Sequence, residues 1–276
     1  MPKFSKHRGF WVGLSLVGGV TVFSLLASWL APFDPLEVPR GLASQSLTPP
    51  GPRHFLGTDV LGRDILSRVF YGGRVSIAIG VGVEIFAATI GLLIGLAAGY
   101  YGGRLDSLLM RFTDIVMAFP SLILAIGLIA VFESPGLDKV FLVLTLLGWT
   151  TIARVVRGEV LSVKGREYIQ AARALGVRDS SIVVRYVLPN SLGPLLVAAT
   201  LGVGGNIVAE AGLSFLGLGA QSPTISWGSM LAEGQTFLIA APWVAVFPGL
   251  MLMLVVLGVN LLGDGLRDLL DPRITR

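Results

Sequence analysis

The sequence predicts an all-α membrane protein with six transmembrane helices and cytoplasmic N- and C-termini. Three observations predict it. The 276 residues are 53% apolar and only 14% charged, with a mean hydropathy of +0.78, whereas a soluble domain carries about 25% charged residues. Six apolar stretches are each long enough to cross about 30 Å of hydrocarbon. The basic residues are distributed unevenly between the segments joining them. With the N-terminus inside, fifteen of the 21 Lys and Arg fall on the cytoplasmic side and six outside, as the positive-inside rule requires. The isoelectric point near 9.7 is therefore read as an orientation signal and not as a nucleic-acid footprint.

The first stretch, Gly9–Ala31, has no charged residue and follows Lys3, Lys6 and Arg8. Its 23 apolar positions exceed the about 7–15 of a signal-peptide core, so it reads as a retained span. The second, Val75–Tyr101, is interrupted by Glu84, and the third, Phe112–Phe132, carries Asp114 near one end. The fourth is Val140–Val156, with Arg154 near its end. The fifth, Ser191–Gly217, holds Asn206 and Glu210, and the sixth, Phe237–Leu262, has no charge. Glycine, 36 in all, suits close helix packing in lipid.

Two connections are longer than turns. The outer one, Pro32 to Arg74, opens with prolines and continues as Phe55-Leu56-Gly57-Thr58-Asp59-Val60-Leu61-Gly62-Arg63-Asp64-Ile65-Leu66-Ser67-Arg68. Thr58 or Asp59 is a suitable N-cap. Asp59/Arg63 and Asp64/Arg68 stand at i, i+4 with the acid first. An amphipathic helix on the outer membrane surface is expected here, as structural support or as a contact for substrate or partner. The inner connection, Arg157 to Asn190, places Tyr168, Ala171, Ala172 and Leu175 on one helical face. Gly176 follows as a left-handed stop. Asp179 or Ser180 is expected to cap a second short helix through Ile182–Val187, with Pro189 near the start of span five. A short helix with a small face fits a groove on another protein or packs on its own spans.

Several chemistries have no residues to carry them. There is no cysteine, hence no disulfide or thiolate site. The two histidines, His7 and His54, are too few for a metal site, so neither a metal nor a catalytic residue is expected. No Lys-terminated phosphate loop exists, and Gly202–Gly205 lies inside span five. The chain is not expected to hydrolyse ATP. The intramembrane ionisable residues, Glu84, Asp114 and Glu210, are functional suspects by default. Glu210, with Asn206 four residues before it, either faces an interior path or bonds to neighbouring helices. Glu84 is read as a packing or pathway residue.

The inner loop carries a family likeness. Ala171-Ala172, Gly176 and Leu188-Pro189 resemble the EAA signature of ABC importer permeases, with Gln170 in place of its glutamate and Tyr186 at its isoleucine position. Phe55–Arg68, Met110-Arg111-Phe112-Thr113-Asp114 with Ala118-Phe119-Pro120, and Glu210-Ala211-Gly212-Leu213-Ser214-Phe215-Leu216-Gly217-Leu218-Gly219 leading to Ser226-Trp227-Gly228 are similar to the peptide- and nickel-type importer permeases, C-type subunit. So is Asn260-Leu261-Leu262-Gly263-Asp264-Gly265-Leu266-Arg267-Asp268 with Asp271-Pro272-Arg273.

The resemblance implies a type I ABC importer permease fold. Residues 1–31 would be the N-terminus and first span, 32–74 the extracytoplasmic loop, 75–263 a five-helix core with coupling loop 157–190, and 264–276 a cytoplasmic tail. It implies a sister permease, two ABC ATPase subunits that bind ATP and Mg, and an extracytoplasmic substrate-binding protein, with no cofactor on this chain itself. Gln170, Ala171, Ala172, Arg173, Leu175, Gly176, Leu188 and Pro189 would couple to the ATPase. Asn206, Glu210 and Glu84 are candidate pathway or gate residues. Di- or oligopeptides are the implied cargo. Nickel, glutathione or another small solute remains an alternative within the same architecture, and a stand-alone secondary transporter is the alternative outside it.

Overall fold

In hydrocarbon a chain must satisfy its own backbone, and helices do so within one segment. The computed structural model describes residues 8–39 and 45–270, and the apolar stretches in it are helical. Lys3, Lys6, His7, Arg40, Arg276 and Asp271-Pro272-Arg273 lie outside the described residues. The helices are α1 (Arg8–Leu25), α2 (Ala27–Leu30), α3 (Ile65–Tyr101), α4 (Gly103–Met117), α5 (Ser121–Ile129), α6 (Leu137–Lys164), α7 (Glu167–Ala174), α8 (Asp179–Ile182), α9 (Leu188–Phe215), α10 (Trp227–Gly234) and α11 (Trp243–Leu270). A π-helical turn, Val183–Val187, joins α8 to α9 without a break. Among the described residues the only β feature is an isolated bridge between Thr58 and Asp64.

Five helical segments are long and apolar enough to cross a membrane, and α4 with α5 makes a sixth if counted as one bent span. That third span is not the continuous helix expected over Phe112–Phe132: α4 and α5 meet at 85°. Pro120 is the cause. It has no N–H to continue the α4 ladder, and its ring disfavours a helical Phe119. The sixth span also shifts. Gln235–Phe237 form a single tight turn, and α11 starts only at Trp243, after Pro242. It then runs through Leu262 to Leu270, so residues 264–270, expected to be tail, continue the same helix.

The expected surface helix ahead of span two is absent. Asp59 accepts from the backbone N–H groups of Leu61 (2.8 Å) and Arg63 (2.9 Å), and Gly62 sits at φ +76°. A carboxylate that caps its own turn competes with the helix, and a left-handed residue ends it. Asp64 is the real N-cap, accepting from Ser67 N–H at 2.8 Å. From there α3 runs 37 residues without interruption, about 55 Å at about 1.5 Å per residue. It is therefore longer than the roughly 30 Å of hydrocarbon it would cross.

Small residues set how closely the helices approach. Gly91, Gly95 and Gly99 recur every fourth position along α3. A Cβ on each would lie 2.6–2.7 Å from α6 atoms, among them the Trp149 and Ala153 carbonyls and Val160 Cβ. Gly13 of α1 and Gly258 of α11 do the same for that pair: a Cβ on Gly13 would lie 2.6 Å from the Gly258 carbonyl. α1 thus packs at the edge, on α11 and across the outer part of α3, while α3, α6, α9 and α11 make the centre.

Candidate functional site

The connection Arg157 to Asn190, expected to be the inner loop, is short, well tethered and partly bare. The end of α7 is a complete Schellman motif. Val177 N–H donates to the Ala172 carbonyl (3.1 Å) and Gly176 N–H to the Arg173 carbonyl (2.9 Å), with Gly176 at φ +75°. Ile169 and Ala172 turn inward and pack with Val160, Val163, Ile182 and Val187. The Tyr100 hydroxyl at the end of α3 donates to Asp179, and Lys164 donates to the Tyr100 carbonyl. The Arg173 guanidinium lies 5.2 Å from the Tyr100 ring centroid.

The opposite face of α7 is exposed. Leu175 is 84% accessible, and Tyr168 and Ala171 are exposed beside it. Tyr186 lies next to Tyr168, with ring centroids 6.3 Å apart, and Val184 is exposed on the same stretch. Gln170 is exposed and its amide donates back to the Gly165 carbonyl at 3.3 Å. Leu188 is half-buried and Pro189 exposed in the first turn of α9.

Two expectations change here. Ala172 does not share the outer face with Tyr168, Ala171 and Leu175: it is 7% exposed and belongs to the chain's own core. A residue one step along a helix is rotated by about 100°, enough to carry it over the edge of the face. Asp179 begins α8 but its side chain caps nothing, being bound to Tyr100 instead.

The intramembrane polar residues form two bridges between α3 and α9. Asn206 Nδ2 donates to Glu84 Oε2 at 2.8 Å. Ser76 and Ser214 donate to the two oxygens of Glu210 at 2.9 and 2.7 Å. Glu210 is fully buried, with both oxygens bonded, inside the α3–α9 interface. Asn206 differs, because it also lines a groove of about 710 Å³ between α4, α5, α6 and α9. The groove wall is apolar apart from Ser121, Thr150, Thr151 and Asn206. Asp114 bonds to Arg154 (2.5 Å) and Asp106 to Arg157 (2.5 and 2.7 Å), holding α4 to α6.

In the segment leading into α3, Arg68 is 2% exposed and forks between Asp59 and Glu233, the latter at 2.9 Å. Arg63 bonds the same two acids at 2.6 and 2.9 Å. The expected Asp59/Arg63 pair thus forms, but on a turn, and Asp64/Arg68 does not form. Asp64 is occupied by Ser67 and by His54 Nδ1 at 2.9 Å. This network locks the outer segment to α3 and α10. Glu233, Tyr100 and Ser76 were not among the expected site residues. Each acts through a partner 79 to 170 positions away, and no local pattern marks such pairs.

Comparison with known proteins is consistent with these features. Residues 91–276 match the family model described as binding-protein-dependent transport system inner membrane component. Residues 2–50 match the N-terminal TM domain of oligopeptide transport permease C. The chain is 42% identical to the dipeptide transport system permease protein DppC of Alkalihalophilus pseudofirmus over 95% of this chain and 86% of that one. It is 38% identical to the oligopeptide transport system permease protein OppC of Bacillus subtilis, over 100% and 89%. In fold it is similar to a chain of the inward-facing MetNI methionine ABC transporter, with a TM-score of 0.60 and 22% identity, covering 74% of this chain and 96% of that one. The six-span helical architecture, the exposed inner loop and these matches together show that the chain belongs to the family of binding-protein-dependent transport system inner membrane components.

Proposed function

We propose that this chain is a permease subunit of an ATP-driven importer for di- or oligopeptides, working with a sister permease, two ATP-hydrolysing subunits and an extracytoplasmic binding protein. The names of its relatives support the cargo. The observation that carries the coupling role is α7: a helix of eight residues tied down on one side and bare on the other. Ile169, Ala172 and the Tyr100–Asp179 bond hold it to the bundle. Tyr168, Ala171 and Leu175 present a small apolar knob suited to a groove on an ATPase subunit. ATP and Mg are bound there and not by this chain. Both termini lie on the same, cytoplasmic side as α7.

The tethers give the mechanism. Closure of the ATPases on ATP displaces α7. Because α8, the π turn and α9 are one continuous helix, the displacement passes into α9, and through Tyr100 into α3. Helices so joined move as rigid bodies between two packed states and not by gradual bending. The groove along α9, closed on its open side by the sister permease, is the path whose access alternates. Hydrolysis resets it.

The test is purification of the tagged chain from its own membranes in mild detergent, followed by transport in proteoliposomes. Co-elution of one homologous permease and two ATPases, with ATP-dependent peptide uptake when loaded binding protein is added, is the expected result. A chain that elutes alone and moves solute without ATP would overturn the proposal and favour a stand-alone transporter.

A further inference from the structure

We infer that Asn206 is the polar contact through which the groove holds the backbone N–H groups of a passing peptide, and that Glu84 is its positioning residue, seated in a notch left open by Gly202. This inference rests on the peptide reading above and deepens it.

The two bridges between α3 and α9 are built differently. At Glu210 both oxygens are bonded within the helix interface, which is what a helix tether requires. At Glu84 only Oε2 is bonded. Oε1 is buried without a partner, and the residue is 5% exposed. A carboxyl this poorly served in a membrane helix is costly, which makes it a functional candidate. Its partner on Oε2, Asn206, reaches the groove.

A primary amide has donors only on nitrogen and an acceptor only on oxygen. One Nδ2 hydrogen is committed to Glu84, which turns the nitrogen side of the amide toward α3 and leaves Oδ1 as its acceptor for the groove. The orientation also depends on α9 itself. Gly202 lies one turn before Asn206, and a Cβ there would stand 2.2 Å from Glu84 Oε2 and 2.5 Å from its Cδ. Any other residue at 202 would displace the carboxyl that aims the amide.

The other polar wall groups are hydroxyls, and that of Thr150 donates its hydrogen to the Leu147 carbonyl at 2.9 Å, so it too can only accept. The groove therefore offers a fixed neutral acceptor in an uncharged wall. Such a site takes the one donor that every peptide repeats, the backbone N–H, and is indifferent to side-chain charge.

The experiment uses the assembled importer in liposomes. It compares a tripeptide with its backbone-N-methylated analogue, both at concentrations that saturate the binding protein, so that only passage differs. The reading for each variant is the ratio of the two maximal rates, which cancels differences in assembly. Wild type is expected to move the unmethylated peptide about fivefold faster, the worth of one neutral hydrogen bond. Asn206→Leu, Glu84→Leu and Gly202→Ala should bring the ratio to about one, while Glu84→Gln, which still accepts from Nδ2, should keep it. If Asn206→Leu does not assemble, Asn206→Ala and Glu84→Leu give the same reading. A wild-type ratio of one, or an unchanged ratio in these variants, would overturn the inference and leave the peptide reading standing. Failure of wild type to move either peptide, while it moves another solute, would overturn the peptide reading together with the inference.

Discussion

Removal of the Leu175 side chain tests the coupling face most sharply. Leu175 is 84% exposed in the isolated chain, so Leu175→Ala removes almost nothing from its own core, and the fold should lose less than about 0.5 kcal/mol. If the side chain fills a groove on an ATPase subunit, its burial there is worth about 2 kcal/mol. Loss of that amount weakens docking about 30-fold. Ala172→Arg supplies the contrast. Ala172 is 7% exposed and packs with Ile169 and Val163, so a buried unpaired guanidinium there should unfold the inner loop as well as uncouple it. The assay is retention of the ATPases on the tagged chain in detergent, together with the chain's own melting temperature. Leu175→Ala should lose the ATPases while melting as wild type does, and Ala172→Arg should lose both. Full retention and normal ATP-dependent uptake by Leu175→Ala would show that this face does not dock an ATPase subunit.

Two further outcomes follow from packing and charge. Gly95→Leu should separate α3 from α6, because even a Cβ at 95 lies 2.7 Å from the Ala153 carbonyl, a backbone atom that has no rotamer to yield. A loss of at least about 2 kcal/mol is expected from such overpacking, read as a lowered melting temperature in detergent. Arg68→Ala would leave Asp59 and Glu233 sharing Arg63 alone, a break in a buried ionic network expected to cost about 3 kcal/mol. Limited proteolysis should then cut the segment around residues 45–64 in preference to the bundle, and Arg68→Lys, which keeps the charge but loses the two-way fork, should fall between.

The apolar runs, the glycines and the placement of Lys and Arg are local properties, and they announce a helical bundle in a bilayer without reference to any contact. Gly176 behaves as a local rule requires, because a left-handed helix stop depends only on the residue and its immediate neighbours. Pro120 shows the limit. Its break was readable in principle, since proline removes a donor wherever it stands, but apolar character on both sides concealed an 85° bend.

Elsewhere two local rules competed. Asp59 and Asp64 both suit a helix start, and the choice fell to Asp64 because Asp59 is claimed by its own turn and by Arg68 from α3. Ala172 and Leu175 look alike on a helical wheel, yet one is core and the other bare. That division depends on Ile182 and Val187, which arrive from the next segment.

Sequence alone announces helices that cross a membrane, and the short helix of the Arg157–Asn190 connection with its glycine stop. These follow from hydropathy and backbone geometry within a few turns of chain. Packing alone settles which side of α7 is bare, that both oxygens of Glu210 are bonded in a helix interface, and that Glu84 bonds Asn206 beside the space Gly202 leaves. The Glu210 and Glu84 contacts join residues more than a hundred positions apart, and a hydrogen bond between two helices exists only once packing has brought them within 3 Å.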